Sequence, residues 1–455
     1  MTGAAHSPLV WPARVSHALD RAWKVGLCRR PSIVPDQIIA AAVRREGATP
    51  ADGAWRDRLG WLCTSLRDEA ALNSLGRTIA HGQLVRIVAA RIRAERLWRA
   101  HPEILERPIV APVAIVGQMR SGTTRVHRLL ACDRAFVHTR LFETLEPVPY
   151  AGWRRVADPR PAAALIGMAF LNRCNPALAP IHPTSPFAPE EEFGLHAFSL
   201  WGSQFEGQWH VPGYARRCEQ ADATDVYAEF ADLLRTIGWS RRDNPERRWL
   251  IKAPQFCQDI AALIAQFPDV AIIRLIRRDD DVVASSASLA WHQARIQSDR
   301  IDPAGIGAEW LRKTALRDAV VTQALSTRPA RARIELGYDE VSAEWRASIR
   351  RLYALLGADL TDSVVGRMAR LADRSRAHHG HRYSLGEFGL MIAPSGRRWP
   401  ERVALQEAVG VDVDGDANLG RPIEAAEPIA DDVLDVEFAR RVDQQALAMA
   451  TAQHC

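Results

Sequence analysis

Lysine is scarce in this sequence. Among 455 residues there are only three lysines (Lys24, Lys252 and Lys313), against 56 arginines. Such a skew mostly reflects genome composition, so a lysine retained near a candidate site is worth examining. The 59 basic and 54 acidic side chains leave a net charge of +5. This small charge argues against the strongly basic face of a nucleic-acid-binding domain, and we expect no nucleic-acid partner.

Closely spaced cysteines are also missing. The seven cysteines lie far apart, without a C-x-x-C pair or a Cys/His cluster. The sequence therefore predicts neither a structural zinc site nor a disulfide framework. An odd number of scattered cysteines is typical of a reducing compartment.

Long apolar runs are absent as well. No stretch approaches the roughly 20 apolar residues of a membrane-spanning helix, and the first 24 residues hold no apolar core of signal-peptide length. The composition, 47% hydrophobic and 25% charged, is that of an ordinary globular protein. It excludes a disordered chain, a collagen and a coiled coil. We expect a soluble, cytoplasmic protein.

Residues 1–105 form a region with helical periodicity. In segment 84–99 the apolar side chains of Leu84, Val88 and Ile92 share one stripe, and five arginines cover the rest of the helix. We interpret this as a helix that packs on the core with its stripe and exposes a solvated basic face. Weak peripheral contact of that face with an anionic membrane is the alternative.

Residues 106–395 alternate short β-branched runs with helical stretches. This alternation predicts an α/β domain, a three-layer fold around a parallel sheet. We expect each strand to be apolar on both faces, as buried parallel strands are. The candidate strands are Pro112–Val116, Arg248–Ile251, Val270–Ile276 and Arg331–Leu336. Residues 396–455 form an acidic extension that we expect to pack on the core.

The strongest motif is PVAIVGQMRSGTTRVHRLL, residues 112–130. An apolar strand runs into Gly117, four residues separate it from Gly122, and a helical pattern follows. Glycines let backbone N–H groups face a phosphate, and the helix N-terminus adds a positive dipole end. A nucleotide-hydrolysing loop would carry Lys where Thr123 stands, and here Arg120 supplies the cation. The motif predicts a P-loop-like phosphate-binding loop.

The R-S-G-T-T run resembles the 5′-phosphosulfate loop of sulfotransferases that use 3′-phosphoadenosine 5′-phosphosulfate (PAPS). The resemblance implies that the donor is held by Arg120, Ser121, Gly122, Thr123 and Thr124.

The second half of that family's signature is an Arg after a strand and a Ser eight residues later, both on the donor's 3′-phosphate. Arg278 and Ser286 have this spacing in DVAIIRLIRRDDDVVASSASL. Arg278 is preferred over Arg277, for which a surface position is the simpler interpretation. Asp280 departs from bacterial relatives, which usually have Pro there, and this difference affects the turn more than the chemistry.

Further matches extend the resemblance over residues 36–390. RRWLIKAPQF resembles the family's strand ending in L-K-[ST]-P, which makes Lys252 a candidate cation. YDEV resembles Y-E-D-L, whose Tyr lies near the adenine and corresponds to Tyr338. HGHRYSLGEFGL resembles a block of the bacterial branch and implies that Arg382 closes over the 3′-phosphate.

The reaction implied is in-line transfer of a sulfuryl group from PAPS to a hydroxyl of a small-molecule, lipid or glycan acceptor. Arg120 and Lys252 would stabilise charge on the leaving phosphate, with Lys252 the better proton donor because arginine holds its proton tightly. A sulfuryl group carries less charge than a phosphoryl group, so no metal is required.

The acceptor hydroxyl also needs a general base. Some relatives have a His shortly after the strand-end Lys, and this chain does not. Segment 181–198 resembles an H-P…P-E-E-D segment, and Pro189 is predicted to open a helix with the following glutamates in its first turn. Acidic residues favour that position whatever their function. The candidate bases, in order, are Glu191, Glu190 and His182, and His127 is interpreted as structural.

Two other functions remain as alternatives. A P-loop kinase or nucleotide hydrolase is disfavoured by Thr123 and by the lack of an acidic residue directly ending a strand. The other is a non-catalytic nucleotide-binding protein. Aromatic residues around Trp201 and Trp209 would suit either an acceptor pocket or the core. The sequence determines neither the acceptor nor the oligomeric state.

Overall fold

The computed structural model describes residues 9–152, 157–178, 183–327, 330–375 and 385–390. The acidic extension, residues 396–455, lies outside these ranges. No helix in these ranges is long and apolar enough to span a bilayer.

A five-stranded, fully parallel sheet forms the centre of the fold, which confirms the predicted α/β class. The strand order is β2-β3-β1-β4-β5, so β1 is the central strand. In the described residues the strands are β1 (Val113–Val116), β2 (Phe136–Val137), β3 (Arg248–Lys252), β4 (Ala271–Ile276) and β5 (Ala332–Gly337).

Four strands lie within one residue of the predicted ranges, and β2 was not predicted. β2 has only two residues, which pair with Arg248 and Trp249 of β3, and so short a run gives no periodic signal. The expectation that every strand is apolar on both faces is wrong for β5. Arg333 and Glu335 of β5 are exposed, because β5 is an edge strand with β4 as its one neighbour in the sheet.

Helices account for most of the remaining described chain. Before the sheet come α1 (Val10–Lys24), α2 (Pro35–Glu46), α3 (Trp55–Asp68) and α4 (Ser74–Ala100). Between β1 and β3 lie α5 (Thr123–Ala131), α6 (Leu141–Leu145), α7 (Arg160–Cys174), α8 (Phe193–Phe198), α9 (Ser203–Gln208), α10 (Pro212–Gln220) and α11 (Thr224–Arg241). The later helices are α12 (Ile260–Gln266), α13 (Asp279–Gln297), α14 (Pro303–Thr327), α15 (Tyr338–Ala343), α16 (Trp345–Leu356) and α17 (Asp362–Ser375).

Successive side chains of β1 belong in turn to two separate hydrophobic clusters, one on each face of the sheet. Ala114 and Val116 belong to a large hydrophobic cluster that also includes residues of α2, α3 and α4. Val113 and Ile115 belong to a second cluster with residues of α5, α16 and α17. Since successive side chains of a strand point to opposite faces, the sheet is covered on both sides. The N-terminal helices thus share a core with one face of the sheet.

The basic face expected on α4 is partly buried. Arg91 and Arg93 are 5% and 6% exposed. Arg91 forms a two-pronged ion pair with Glu229 of α11 at 2.6 and 2.7 Å, and Arg93 bridges Glu46 and Glu146. The interpretation of these two arginines as part of a solvated face is therefore wrong. They join α4 to its neighbours.

The carboxyl ends of the parallel strands meet at one edge of the sheet. β1 is followed by Gly117, β3 ends at Lys252, β4 is followed by Arg277 and β5 by Tyr338. In open α/β sheets this edge is where ligands bind. The topology thus brings together motifs that lie more than 200 residues apart in the chain.

Candidate functional site

Residues 117–124, here named the glycine loop, connect β1 to α5. A side chain at Gly117 would lie 2.7 Å from Ser121 Oγ and 3.0 Å from the backbone oxygen of Leu275. Gly122 has φ +85°, and a side chain there would lie 2.9 Å from Cδ2 of Tyr338. Both positions therefore require glycine for reasons of space, and Gly122 also for its left-handed backbone.

The glycine loop is held in a tight turn. Arg120 also adopts a positive φ of +66°, and Ser121 Oγ donates to the backbone oxygen of Gln118 at 2.7 Å. α5 then begins at Thr123. Its first N–H groups have no partner within the helix, so they and the helix dipole favour an anion at this point.

The Arg120 side chain turns toward α13. Its Nε donates to Ser285 Oγ at 3.0 Å. Ser285 and the predicted ligand Ser286 are 3% and 1% exposed on α13. A cation of the glycine loop therefore contacts Ser285, the neighbour of the predicted ligand Ser286. Sequence reasoning missed Ser285.

Lys252 lies fully buried at the end of β3. Its Nζ donates to Thr124 Oγ1 of the glycine loop at 3.1 Å and forms an ion pair with the Glu191 carboxylate. The structure thus brings together Lys252, Thr124 and the first-choice base, Glu191.

Three consecutive glutamates precede α8. The prediction that Pro189 opens a helix with these glutamates in its first turn is wrong, because α8 begins at Phe193. Glu190 instead accepts hydrogen bonds from the Thr184 hydroxyl at 2.7 Å and from the Glu191 N–H at 3.1 Å. Local hydrogen bonds of Glu190 and the ion pair of Glu191 with Lys252, rather than a helix dipole, account for these acidic residues.

Glu192 has no exposed surface, and sequence reasoning assigned it no role. Its Oε2 accepts the Lys252 backbone N–H at 2.7 Å, and its Oε1 lies 2.8 Å from Thr139 Oγ1. Burial raises the pKa of Glu192 to about 8, against the lowering influence of these hydrogen bonds and of the Lys252 charge. Glu192 anchors the strand end that carries Lys252.

Arg277, rather than Arg278, contacts the glycine loop. Arg277 Nη1 donates to the backbone oxygen of Arg120 at 2.8 Å, and its guanidinium lies 4.0 Å from the centroid of the Tyr338 ring. The interpretation of Arg277 as a surface residue is therefore wrong. Arg278 is exposed and immediately precedes α13, where its side chain is accessible to a ligand.

His127 of α5 is completely buried, and both ring nitrogens lack a hydrogen-bond partner in the described part of the chain. Burial, and then the charge of Lys252, hold its pKa well below the usual value. The ring is therefore neutral near pH 7. Two other predicted residues, His182 and Arg382, lie outside the described residues.

Metal ligands do not cluster in the described ranges. No group of three or more His, Cys, Asp or Glu side chains there has an arrangement that could hold a metal ion. The charged groups that meet at the sheet edge are arginine, lysine and glutamate side chains. This set suits an anionic ligand held by hydrogen bonds and ion pairs.

Comparison with known proteins agrees with this architecture. Sulfotransferase STF1 from Mycobacterium tuberculosis H37Rv matches with a TM-score of 0.69 and 25% identity, covering 80% of this chain and 97% of that one. Sulfotransferase STF9 from Mycobacterium avium matches with a TM-score of 0.71 and 21% identity, covering 83% and 95%. At 21% identity, the match to STF9 shows a similar fold only. A search of curated proteins found no match.

The family-level comparison covers the glycine loop and the ends of β3, β4 and β5. Residues 112–362 match the sequence model of the sulfotransferase family. This range is more than half of the 455 residues. The chain belongs to the sulfotransferase family.

Proposed function

We propose that this protein transfers a sulfuryl group from PAPS to a hydroxyl group of an acceptor. The observation that carries the proposal is the contact between Lys252 Nζ and Thr124 Oγ1. It places a buried cation beside a loop whose amides suit a phosphate. Membership of the sulfotransferase family supports a sulfuryl rather than a phosphoryl donor.

The donor would lie across the carboxyl edge of the sheet. The amides of Ser121 to Thr124 and the side chain of Arg120 would hold the 5′-phosphate. Arg278 and Ser286 would hold the 3′-phosphate, and Arg382 would add to that site. The Tyr338 ring, packed beside Gly122, would contact the adenine. Arg277 would keep the glycine loop and Tyr338 in place, because it contacts both.

In the transfer the acceptor oxygen bonds to sulfur as the bond from sulfur to the 5′-phosphate oxygen breaks. Lys252 and Arg120 would stabilise the charge that develops on the leaving oxygen. Lys252 would also donate a proton to it, because lysine gives up a proton more readily than arginine.

Of the two candidate bases that the structure describes, Glu190 and Glu191, Glu191 is the better placed. Its side chain is 12% exposed and pairs with Lys252, whereas Glu190 is bound by Thr184 and the Glu191 amide. A donor phosphate that attracts Lys252 would release the Glu191 carboxylate to take the acceptor proton. Glu191 would thus act only when the donor is bound.

Calorimetric titration tests the donor. Adenosine 3′,5′-bisphosphate is titrated into the protein without metal, and ATP with Mg²⁺ is titrated in parallel. We expect metal-free binding of the bisphosphate, strongly weakened in Arg278→Ala and unchanged in Arg99→Ala, a control at an exposed position of α4. Binding of ATP·Mg²⁺ without binding of the bisphosphate would refute the proposal and favour a kinase or nucleotide hydrolase.

A further inference from the structure

The most exposed large apolar side chains of the described residues lie on α1, on the segment that follows it and on α7. Val10 of α1 is 66% exposed, Val25 and Leu27 just after α1 are 76% and 81%, and Ile166 of α7 is 71%. The other exposed large hydrophobic residues in the described ranges reach at most 43%. Single exposed apolar residues are ordinary, but a concentration of them marks a surface that another molecule covers.

α7 carries no polar side chain over three turns. Residues 161–171, PAAALIGMAFL, are all apolar. Ala162, Ile166 and Ala169 are exposed, and their spacing of four and then three places them on one outward side of the helix. A helix that is apolar all round is ordinarily buried. α7 therefore presents to solvent a side that suits apolar surroundings.

α1 packs beside α7. The rings of Trp11 and Phe170 lie 5.4 Å apart, and the guanidinium of Arg173 lies 5.6 Å from the centroid of the Trp11 ring. Val15 and Leu19 of α1 pack with Phe170 against one hydrophobic cluster. The two helices thus form neighbouring parts of one surface.

The outward side of α1 is basic. Arg14, His17, Arg21 and Lys24 recur at intervals of three and four residues and are all exposed. They therefore line one side of the helix, which Val10 begins. α1 has 15 residues and is about 22 Å long at 1.5 Å per residue. The basic side chains are spread along this length.

More arginines lie close together near the end of α1. Burial, and then the charges of Arg30 and Arg67, lower the pKa of Arg77, so these three guanidinium groups are near enough to repel one another. None of the three forms an ion pair within the described part of the chain. Arg29, next to Arg30, is exposed. An anion bound among these groups would relieve their repulsion.

Acidic side chains hardly offset these cations. Residues 9–30 contain a single carboxylate, that of Asp20, which accepts a hydrogen bond from the Ser74 hydroxyl of α4. The same residues contain five lysine and arginine side chains, Arg14, Arg21, Lys24, Arg29 and Arg30. Cations beside exposed apolar side chains are complementary to phosphate headgroups above a hydrocarbon layer. A second copy of the chain on this surface would instead oppose like charges.

We propose that this surface lies on an anionic lipid bilayer. It is named the lipid face and consists of the outward sides of α1 and α7 together with residues 25–30. The basic side chains contact headgroup phosphates, while Val25, Leu27 and Ile166 enter the boundary between headgroups and acyl chains. The lipid face is distinct from α4, where Arg91 and Arg93 are buried. This inference is independent of the proposed sulfuryl transfer.

Co-sedimentation of the full chain with vesicles tests the proposal. One set of vesicles contains phosphatidylglycerol and phosphatidylcholine in equal parts, and the other contains phosphatidylcholine alone. At low salt we expect binding to the first set and at least about tenfold weaker binding to the second, because neutral headgroups attract the cations much less. Equal binding to both sets, or binding to neither, would overturn the proposal.

Charge reversal separates the lipid face from the net charge of the protein. The test variant carries Arg14→Glu and Arg21→Glu. The control carries Arg99→Glu and Arg350→Glu, at exposed positions of α4 and α16, and has the same net charge. We expect the test variant to bind the anionic vesicles at least about tenfold more weakly than the control. Equal binding of the two variants would show that overall charge, and not the lipid face, attracts the protein.

A second pair of variants tests the apolar contact. Val25→Ser with Leu27→Ser should weaken binding to the anionic vesicles at least about tenfold. Leu105→Ser with Val110→Ser, where the side chains are 39% and 41% exposed outside the lipid face, should bind as wild type. Urea unfolding verifies that both variants fold. Undiminished vesicle binding in the first variant would contradict insertion. Wild-type dimers that this variant abolishes, without vesicle binding, would assign the surface to a second copy.

Discussion

At the residue scale, the protonation state of Glu192 determines which hydrogen bonds form beside the candidate site. Thr139 has one hydroxyl proton but lies within hydrogen-bond distance of both the Glu190 backbone oxygen and Glu192 Oε1. A protonated Oε1 can donate to Thr139 Oγ1, which frees the Thr139 proton for Glu190. The neutral carboxyl therefore satisfies every group in this cluster, in agreement with a pKa raised by burial.

We predict that Glu192→Gln removes much of the pH dependence of stability near the site. The folded pKa of about 8 lies above the ordinary 4.5. The stabilisation is therefore complete below about pH 4.5 and is lost as the pH rises through about 8. A glutamine reproduces the neutral hydrogen bonds, so its unfolding free energy at pH 5 should lie within about 1 kcal/mol of wild type. At pH 8 the variant should be the more stable.

Urea unfolding at pH 5 and pH 8 measures this difference. Glu246→Gln, at an exposed position, is the control and should follow wild type at both pH values. An equal loss of stability between pH 5 and pH 8 in wild type and Glu192→Gln would contradict the assignment.

At the scale of elements, the turn from β1 into α5 depends on Gly122. We predict that Gly122→Ala costs more stability than Gly47→Ala. Both glycines have positive φ, +85° and +71°, but only Gly122 has a neighbour, Tyr338 Cδ2, within 4 Å of the added carbon. Gly47→Ala should cost about 1 kcal/mol, the backbone term alone.

Calorimetric titration with adenosine 3′,5′-bisphosphate gives a second comparison of the two glycine variants. Gly122→Ala should bind it at least about tenfold more weakly, because the clash displaces either the glycine loop or Tyr338. Gly47→Ala should bind as wild type, since it ends α2 far from the loop in the sequence. If the two variants cost equal stability and bind equally well, the contact with Tyr338 has no importance for the loop.

Also at this scale, α4 is held to α11 by an ion pair between buried Arg91 and half-buried Glu229. We predict that Arg91→Met lowers the unfolding free energy by about 1.5–3 kcal/mol, the range for hydrogen bonds to charged groups, because Glu229 would lose its cation. Arg99→Met, at an exposed position of the same helix, should change it by less than about 0.5 kcal/mol. Urea unfolding of both variants measures this. Equal stabilities would show that the Arg91 pair is not structural.

At the scale of the whole molecule, buried titratable groups of both kinds shape stability. Burial lowers the pKa of His196 to about 4 and of His138 to about 3. These rings are neutral in the folded protein, so their contribution is lost as the pH falls below about 6.5. Burial raises the pKa of Asp259 to about 7, as it raises that of Glu192 to about 8. Those contributions are lost as the pH rises.

We predict a melting temperature that is highest between about pH 4.5 and 6.5 and falls on both sides. Within that window the two kinds of group oppose each other, because on unfolding the histidines take up protons and the acids release them. Scanning calorimetry from pH 3.5 to 8.5 measures the fall in melting temperature on each side of the maximum. Glu192→Gln should reduce only the fall above about pH 6.5. A melting temperature that still rises between pH 6.5 and 8 would contradict the assigned shifts.

Local sequence patterns predicted most of the strands and the glycine loop, but they did not predict which charged residues pair. Apolar runs located four of the five described strands to within a residue. Burial on both faces demands such runs in β1, β3 and β4, whereas β5 keeps one exposed face as an edge strand. Glu190 and the two glutamates after it were predicted to lie in the first turn of a helix, because proline and acidic residues are common at helix N-termini. The Glu192 carboxylate instead contacts Thr139, 53 residues earlier, and Lys252, 60 residues later, and no periodic pattern reveals contacts at such separations.

The sequence by itself determined the α/β class, the glycine loop and the cations that follow the strands, because these depend on backbone freedom and on local burial. Only the tertiary structure decided that β1 lies between β3 and β4 and that Lys252 pairs with Glu191. It also decided that Arg91 is buried against Glu229. A charged side chain enters the interior only where an opposite charge meets it, and that partner can lie anywhere in the chain.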